Sequence, residues 1–303
     1  MNRCNTLKKV LTDKDYRTVR LAKAGFYNRL DDRAYIEKIY RAKMGKPLNL
    51  ENPQLFNEKL QWLKLYDRNP LYTQLVDKYR VREYIAEKIG EEYLIPLLGV
   101  WDDPDEIDFD TLPDQFVLKC NHNSGTGMCI CRDKSKLDYD KVRKDLKKGL
   151  KENFYLRHRE WPYKNVKPCV VAEAYIAEEN SDVLTDYKFF CFHGIAKIMY
   201  ISRDYSDSPR TDFFDMDFAH LPIKVKDPHA EMPPKKPECF DEMKHIAEIL
   251  SKNIPHLRVD LYCVQGRIYV GELTFYHAGG FVNITPDEWN LRMGSWINIS
   301  EGS

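Results

Sequence analysis

Two acidic side chains and a basic one near the end of the chain could do chemistry together. Arg258-x-Asp260 and Glu272-x-Thr274 flank a candidate turn at Gln265-Gly266, inside two strand-like runs at 258–264 and 267–275. A two-residue loop pairs Asp260 with Gly271 and Val259 with Glu272, and mixes polar and apolar residues on both faces. A three-residue loop, Gln265 to Arg267, shifts the pairing by one residue and turns every side chain of one strand over relative to the other. Val259 then faces Leu273, Leu261 faces Gly271 and Cys263 faces Tyr269, which makes one face apolar. The other face sets Arg258 opposite Thr274 and Asp260 opposite Glu272. Clean sorting is the mark of a half-buried hairpin, so the second register is expected. It places two carboxylates directly opposite each other, and these repel. A hard cation such as Mg²⁺, which takes one or two carboxylates together with substrate phosphates, converts that repulsion into coordination. Arg258 offers a charge for an anionic group. The other reading is a pair of solvated carboxylates neutralised by Arg258.

A second group lies upstream. Lys119 sits in the strand-like run 116–120, and Asn121-His122-Asn123-Ser124-Gly125-Thr126-Gly127 separates it from a return strand at 128–131. Glycines let backbone amides turn toward an anion, Ser and Thr add hydroxyl donors, and a lysine supplies a point charge. The loop is not of the Walker A type, because no Gly-Lys-Ser/Thr follows and a strand comes next. Taken alone it reads first as an ordinary hairpin turn and only second as a phosphate loop.

The elements that position these groups follow from periodicity. Residues 1–90 read as helical: Asp31-Asp32 caps a helix through Tyr40, Asn52-Pro53 opens one carrying Phe56, Leu60, Leu63 and Leu65, and 77–89 repeats the pattern before Gly90. Residues 93–95 read as a short strand, 101–110 as an acidic loop and 137–153 as an amphipathic helix. Residues 170–176 form a strand, and 186–192 with 196–202 a hairpin turning at His193-Gly194. Residues 203–238, with six of the sixteen prolines, read as a long excursion, and 239–253 as a helix. The order favours an α+β class.

Composition narrows the function classes. The chain has 303 residues, and 47 Lys plus Arg balance 47 Asp plus Glu, so no electrostatic case exists for a nucleic-acid or polybasic membrane protein. A hydrophobic content of 43% excludes global disorder. The first thirty residues lack an apolar run of signal-peptide length, and no window approaches a membrane span, so a cytoplasmic protein without a transmembrane segment is expected. The eight cysteines are scattered without a CxxC pair, Cys129-x-Cys131 has the wrong spacing for common zinc sites, and reduced thiols are expected. The eight histidines are dispersed, with neither HExxH nor HxH.

The ordered set resembles the ATP-grasp superfamily of carboxylate–amine ligases, and more closely its TupA-like group, linked to teichuronopeptide and capsular polysaccharide synthesis. The closer likeness rests on Phe56-Asn57-Glu58-Lys59-Leu60-Gln61-Trp62, Asp77-Lys78-Tyr79, Tyr93-Leu94-Ile95-Pro96-Leu97-Leu98-Gly99-Val100 and Asp186-Tyr187-Lys188-Phe189-Phe190, and covers roughly 50–297. It implies an ATP-grasp fold, two α+β subdomains gripping ATP, with a helical cap at 1–90, a lid-type subdomain at 91–175 and a C-terminal subdomain at 176–303. It implies ATP and Mg²⁺ as cofactors, and a small-molecule or glycan carboxylate and an amine as partners. Lys119 resembles the lysine that holds ATP phosphate, and Ser124, Gly125, Thr126 and Gly127 the mobile lid loop. Glu173, Ala174 and Tyr175 resemble the hinge strand that reads adenine, and Glu178 or Glu179 meets the ribose. Lys188 and Arg258 resemble the phosphate or acyl-phosphate contacts. Asp260 and Glu272 match the magnesium ligands, with Thr274 where relatives usually carry Asn. Tyr276-His277-Ala278-Gly279-Gly280 stands where relatives often carry a Pro-Gly turn. His122 and His277 lie near the right segments, without a general base being assignable. Two other functions fit the same residues: a phosphotransferase acting on a sugar or small molecule, and a non-catalytic partner of a polysaccharide glycosyltransferase complex.

Overall fold

A computed structural model describes residues 9, 11–178, 184–203 and 209–299. Among them, two antiparallel sheets carry the architecture. The smaller has the order β1-β4-β2-β3, from Leu97–Trp101, Phe116–Cys120, Met128–Cys131 and Val170–Ala174 numbered along the chain. The larger has the order β10-β9-β5-β6-β7-β8. Its strands are β5 Asp186–Phe192, β6 Ile195–Arg203, β7 Arg210–Asp215, β8 His220–Leu221, β9 Leu257–Val264 and β10 Arg267–Thr274. Helices pack around both sheets, so the class is α+β.

The larger sheet is covered on both faces. The helix Phe240–Leu250 lays Phe240, Met243, Ile246, Ala247 and Leu250 on one side, where Phe240 meets Phe189 at a ring separation of 5.8 Å. The helix Phe56–Tyr66 covers the other, with Phe56 against Phe190 and Phe192 at 6.3 and 6.2 Å. The helices Leu71–Val76 and Val81–Ile89 belong to the same core. The helices Lys14–Lys23 and Asp32–Met44 stand apart, and the latter packs Tyr35, Ile36, Ile39 and Tyr40 against Phe281. The Asp31 carboxylate caps that helix by accepting from Ala34 N at 2.9 Å.

Three local expectations are corrected. The apolar run Tyr93-Leu94-Ile95 does not form a strand. Glu91–Tyr93 is a 3₁₀ turn, Ile95 fills a side cluster with Val264 and Tyr269, and pairing starts at Leu97. The proline-rich excursion contains two strands, β7 and β8. Its prolines, at 209, 222, 228, 233, 234 and 237, all fall outside both strands, so the backbone N–H groups needed for the ladder remain. Reduced cysteines are found at Cys120, Cys129, Cys131, Cys169 and Cys191, but Cys239 and Cys263 form a disulfide. That pair joins the start of the helix Phe240–Leu250 to β9, a contact that linear spacing does not announce.

The β9–β10 hairpin reconciles both sequence registers. Gln265 and Gly266 form a two-residue turn with φ of 52° and 75°, as hairpin twist requires. Ile268 pairs with Cys263 and Val270 with Leu261, so the register expected near the turn is overturned there. A bulge between Val270 and Glu272 then moves the pairing by one residue. Beyond it Glu272 faces Asp260, Leu273 faces Val259 and Thr274 faces Arg258, as the sorting of faces predicts. Gly271 is the bulge residue, and a Cβ on it would lie 2.6 Å from the Tyr262 ring. Gly271→Ala should therefore destabilise the protein by about 1–3 kcal/mol, the usual cost of overpacking. Urea unfolding measures this, and an unchanged midpoint contradicts the role given to the bulge.

Candidate active site

Strand alternation builds one wall of a cleft. In β2, Phe116, Leu118 and Cys120 enter the core beneath the helix Tyr139–Leu150, while Val117 and Lys119 point the other way and line the cleft. In β3, Met128 and Ile130 are 53% and 47% exposed, large apolar side chains that line the same cleft. β4 brings Glu173 beside Val117, and Lys119 Nζ donates to Glu173 Oε2 at 2.5 Å. Arg82 lies 3.8 Å from the other Glu173 oxygen. Ser124, Gly125 and Thr126 form the rim, where Arg157 Nη2 donates to Thr126 Oγ1 at 3.1 Å. Gly127 is not in the cleft lining; its carbonyl accepts from Cys120 N at 3.1 Å, beneath the rim.

The opposite wall comes from the larger sheet and from a segment that sequence reasoning left in the helical region. Tyr262, Gly271 and Glu272 line it, together with Lys78. Lys78 Nζ donates to the Asn123 carbonyl at 2.7 Å and lies 3.4 Å from Glu272 Oε1, so one amine touches both the loop and the acidic hairpin. The segment is held there because Lys78 N donates to Asn121 O at 3.1 Å and Asn121 Nδ2 donates to Asp77 Oδ1 at 2.9 Å. The cleft has a volume near 840 Å³, inside the roughly 300–1,000 Å³ range of small-molecule sites. Its lining divides into an apolar set, with Ile95, Met128, Ile130, Ile176 and Leu184, and a charged set of Lys78, Lys119, Arg132, Glu173 and Glu272.

Behind Glu272 lies a buried charge cluster. Asp260 is 2% exposed. Arg258 Nε and Nη2 donate to its two oxygens at 2.6 Å each, and Lys188 Nζ, on the paired residue of β5, donates to Oδ2 at 2.8 Å. Lys188 also lies 3.1 Å from Asp186 Oδ1. Burial alone raises the Asp260 pKa, but the Arg258 and Lys188 charges outweigh it and hold the carboxyl below its ordinary value. Burial likewise opposes the charge on Arg258 and Lys188, and Asp260 reverses that and raises both. Thr274 Oγ1 accepts from Arg258 Nη2 at 3.0 Å. Asp260 and Glu272 are thus cross-strand partners as expected, but the polar face is buried, not solvated. Asp260, Thr274, Arg258 and Lys188 do not line the cleft; Glu272 does.

The motif from Phe56 to Trp62, extended to Lys64, explains the cover over this cluster. Asn57, Gln61 and Lys64 form a buried polar stripe one helical face wide. Asn57 Nδ2 donates to Val282 O at 2.7 Å, Gln61 Nε2 to Gly280 O at 2.8 Å and Lys64 Nζ to Gly279 O at 2.9 Å. A Cβ on Gly280 would stand 2.4 Å from Gln61 Nε2, so this close approach needs glycine. Burial pulls the Lys64 ammonium down to about 7. The turn so gripped presents His277, whose Nδ1 accepts from Arg258 Nη1 at 2.8 Å. Burial first, and then the Arg258 charge, hold His277 well below its ordinary pKa, so it is a neutral acceptor. His122 is also buried, with Nε2 3.0 Å from the Glu152 carbonyl. Of the ribose candidates, Glu178 Oε1 accepts from Thr185 N at 3.2 Å, and Glu179 lies outside the described residues. Ala174 and Tyr175 line the cleft, where Tyr175 Oη accepts from Arg132 Nε at 3.1 Å.

Comparison with known proteins identifies a family. The family model described as TupA-like ATPgrasp matches residues 58–298. The chain belongs to the TupA-like ATP-grasp family. Among solved structures, D-alanine–D-alanine ligase from Bacillus anthracis complexed with ATP is 17% identical with a TM-score of 0.40, over 67% of this chain and 55% of that one. This TupA-like chain therefore spans little more than half of that ligase. A second structure of the Bacillus anthracis enzyme is 16% identical, TM-score 0.44, covering 87% and 84%. The Helicobacter pylori enzyme is 13% identical, TM-score 0.42, covering 80% and 69%. No curated protein matches the chain.

Removing the main partner of Asp260 tests the cluster. Arg258→Met should destabilise the protein by about 3–5 kcal/mol at neutral pH, because it strands a buried charge. The folded-state pKa of Asp260 is depressed, so its contribution is complete above about pH 4 and is lost as pH falls through the folded value. The stability gap between wild type and variant should narrow on acidification below about pH 4. A gap that stays constant down to about pH 3 contradicts the charge account.

Proposed function

We propose that the protein is an ATP-dependent carboxylate–amine ligase acting through an acyl phosphate, in the assembly of a cell-surface polysaccharide of capsule or teichuronopeptide-like type. Membership of the TupA-like family supports the class. The observation that carries the site is the placement of the Lys78 and Lys119 amines and the Glu272 carboxylate in one cleft with apolar walls. In this reading residues 91–175 are the lid subdomain and 176–303 the subdomain that carries the acidic hairpin. Adenine packs against Met128, Ile130 and Tyr175, beside the backbone of Ala174, and the phosphates lie toward Lys78 and Lys119 beneath the Ser124–Gly125–Thr126 rim. Glu178 or Glu179 meets the ribose.

The donor set fits Mg²⁺. Glu272, which faces the cleft with one amine at 3.4 Å, would hold the ion, and Asp260 and the Thr274 hydroxyl behind it would join the set if Asp260 gave up its bond to Lys188 or Arg258. When bound, the ion would neutralise and orient phosphate oxygens. The protein's own groups do the rest. Lys78 and Lys119 offset charge on the transferring phosphoryl group, while Arg258 and Lys188, buried behind Glu272, act on the carboxylate or acyl phosphate through their charge and by holding the hairpin. A carboxylate oxygen bonds to the γ-phosphorus as the bond to the ADP oxygen breaks. The amine then bonds to the acyl carbon and phosphate leaves. The rim loop shields the acyl phosphate from water.

The experiment combines binding and turnover. ATP with Mg²⁺ should raise the unfolding midpoint of the wild type, since a ligand for the native state stabilises it. Glu272→Ala and Asp260→Ala should cut Mg²⁺-dependent ADP release by about 100-fold or more. Lys119→Ala should weaken nucleotide binding. Turnover unchanged in both acidic variants removes the metal assignment, and phosphate retained on the product in place of an amide overturns the ligase reading.

A further inference from the structure

The excursion at 203–238 holds a cluster that the proposed ligase does not use. Asp212 on β7, His220 on β8 and His229 in the following segment bring a carboxylate oxygen and one ring nitrogen from each histidine within 4.8 Å of one another. Both imidazoles converge on one oxygen: His220 Nε2 lies 2.9 Å and His229 Nδ1 3.3 Å from Asp212 Oδ1. The two rings sit 4.9 Å apart.

We propose that Asp212, His220 and His229 form a second metal site, for a divalent transition ion of the Zn²⁺ class, which clips the edge of the larger sheet. Two observations carry it. The first is distance. Ligands about 2.0–2.2 Å from a tetrahedral ion stand roughly 3.3 Å from each other, close to the separations found. The second is charge. Asp212 is 1% exposed, and its partners among the described residues are the two imidazoles and the Ala230 amide, 3.2 Å from Oδ2. No Lys or Arg ion pair to it occurs among the described residues. A buried carboxylate whose neighbours are two imidazoles and an amide, with no lysine or arginine beside it, has room for the charge that a dication would bring. His229 Nδ1 also lies 3.1 Å from the Thr211 carbonyl, an acceptor, while Nε2 is buried without a partner. In the empty site Nδ1 is therefore the donor, and a metal ion would displace its proton, as metal binding to imidazole does.

Two imidazoles and one carboxylate suit Zn²⁺, whereas Mg²⁺ selects oxygen donors. His220 remains one-third exposed on its side chain, which leaves room for water as a fourth ligand. The clip ties β8 and the segment around 228–230 to β7, beside the hydrogen bond from Thr211 N to Pro228 O at 3.1 Å. It stands at the β8 edge of the sheet, and the Asp260–Glu272 pair stands at the β10 edge.

The test uses the full chain, stripped with a chelator, in excess Mg²⁺. Titration with Zn²⁺ by calorimetry should show one saturable site per chain. His220→Ala and His229→Ala should each weaken it by about 100-fold or more, since even outer partners of a metal ligand are worth 10–100-fold. Zn²⁺ should raise the wild-type unfolding midpoint, and Co²⁺ should give visible absorption bands that both variants lose. Because His220 is partly exposed, its variant decides the matter if the His229 variant misfolds. Absence of saturable binding overturns the proposal, as does equal affinity in wild type and His220→Ala, which would point to the free cysteines.

Discussion

The constraint on which the structure turns is the burial of three charges in the middle of a sheet. Arg258, Asp260 and Lys188 have left water together, and each is tolerable only because the others remain. A fixed register follows, since a slip of one residue would send Asp260 to the apolar face. The bulge at Gly271 supplies that register in spite of a two-residue turn. A polar cover follows too. The turn at His277–Gly280 accepts from Arg258 through His277, and the helix Phe56–Tyr66 grips the turn with Gln61 and Lys64. A motif that looks like an amphipathic helix is thus a bracket for the charge cluster.

This arrangement divides the two acidic groups. Asp260 is saturated and inside, while Glu272 is at the surface of the cleft. In this state Asp260 holds the geometry, and Glu272 is the one open to what enters. The Lys78 contacts with Asn123 and Glu272 join the loop of the smaller sheet to the hairpin of the larger. A nucleotide phosphate competing for Lys78 would act on both walls at once, which gives the loop a physical reason to respond to ligand.

Much of this was legible in the sequence where side-chain alternation is strong. Lys119 and Val117 against Phe116 and Leu118, and Asp260 against Val259 and Leu261, announce their faces. The three-residue loop was the wrong device for the right pairing, because a bulge leaves no mark in alternation except a glycine. The burial of the polar face was not legible, since it depends on a helix two hundred residues away. β7 and β8 were hidden by counting prolines over the whole excursion; the proline-free window from 210 to 221 was the available signal. Lys78 was quoted as part of a resemblance and given no role, because its work depends on Asn121 and Asn123 across the chain. The Cys239–Cys263 disulfide and the Asp212–His220–His229 cluster have no fixed spacing and exist only once the sheet is formed.

The central claim is that one cleft, walled by the Lys119 loop and the Glu272 hairpin, holds a magnesium nucleotide. Amide hydrogen exchange with a non-hydrolysable ATP analogue and Mg²⁺ tests it most directly. The account predicts protection at 119–128, at 171–177 and at 270–274, and much less with the analogue when Mg²⁺ is chelated. Protection confined to other segments, or none at saturating analogue, contradicts it.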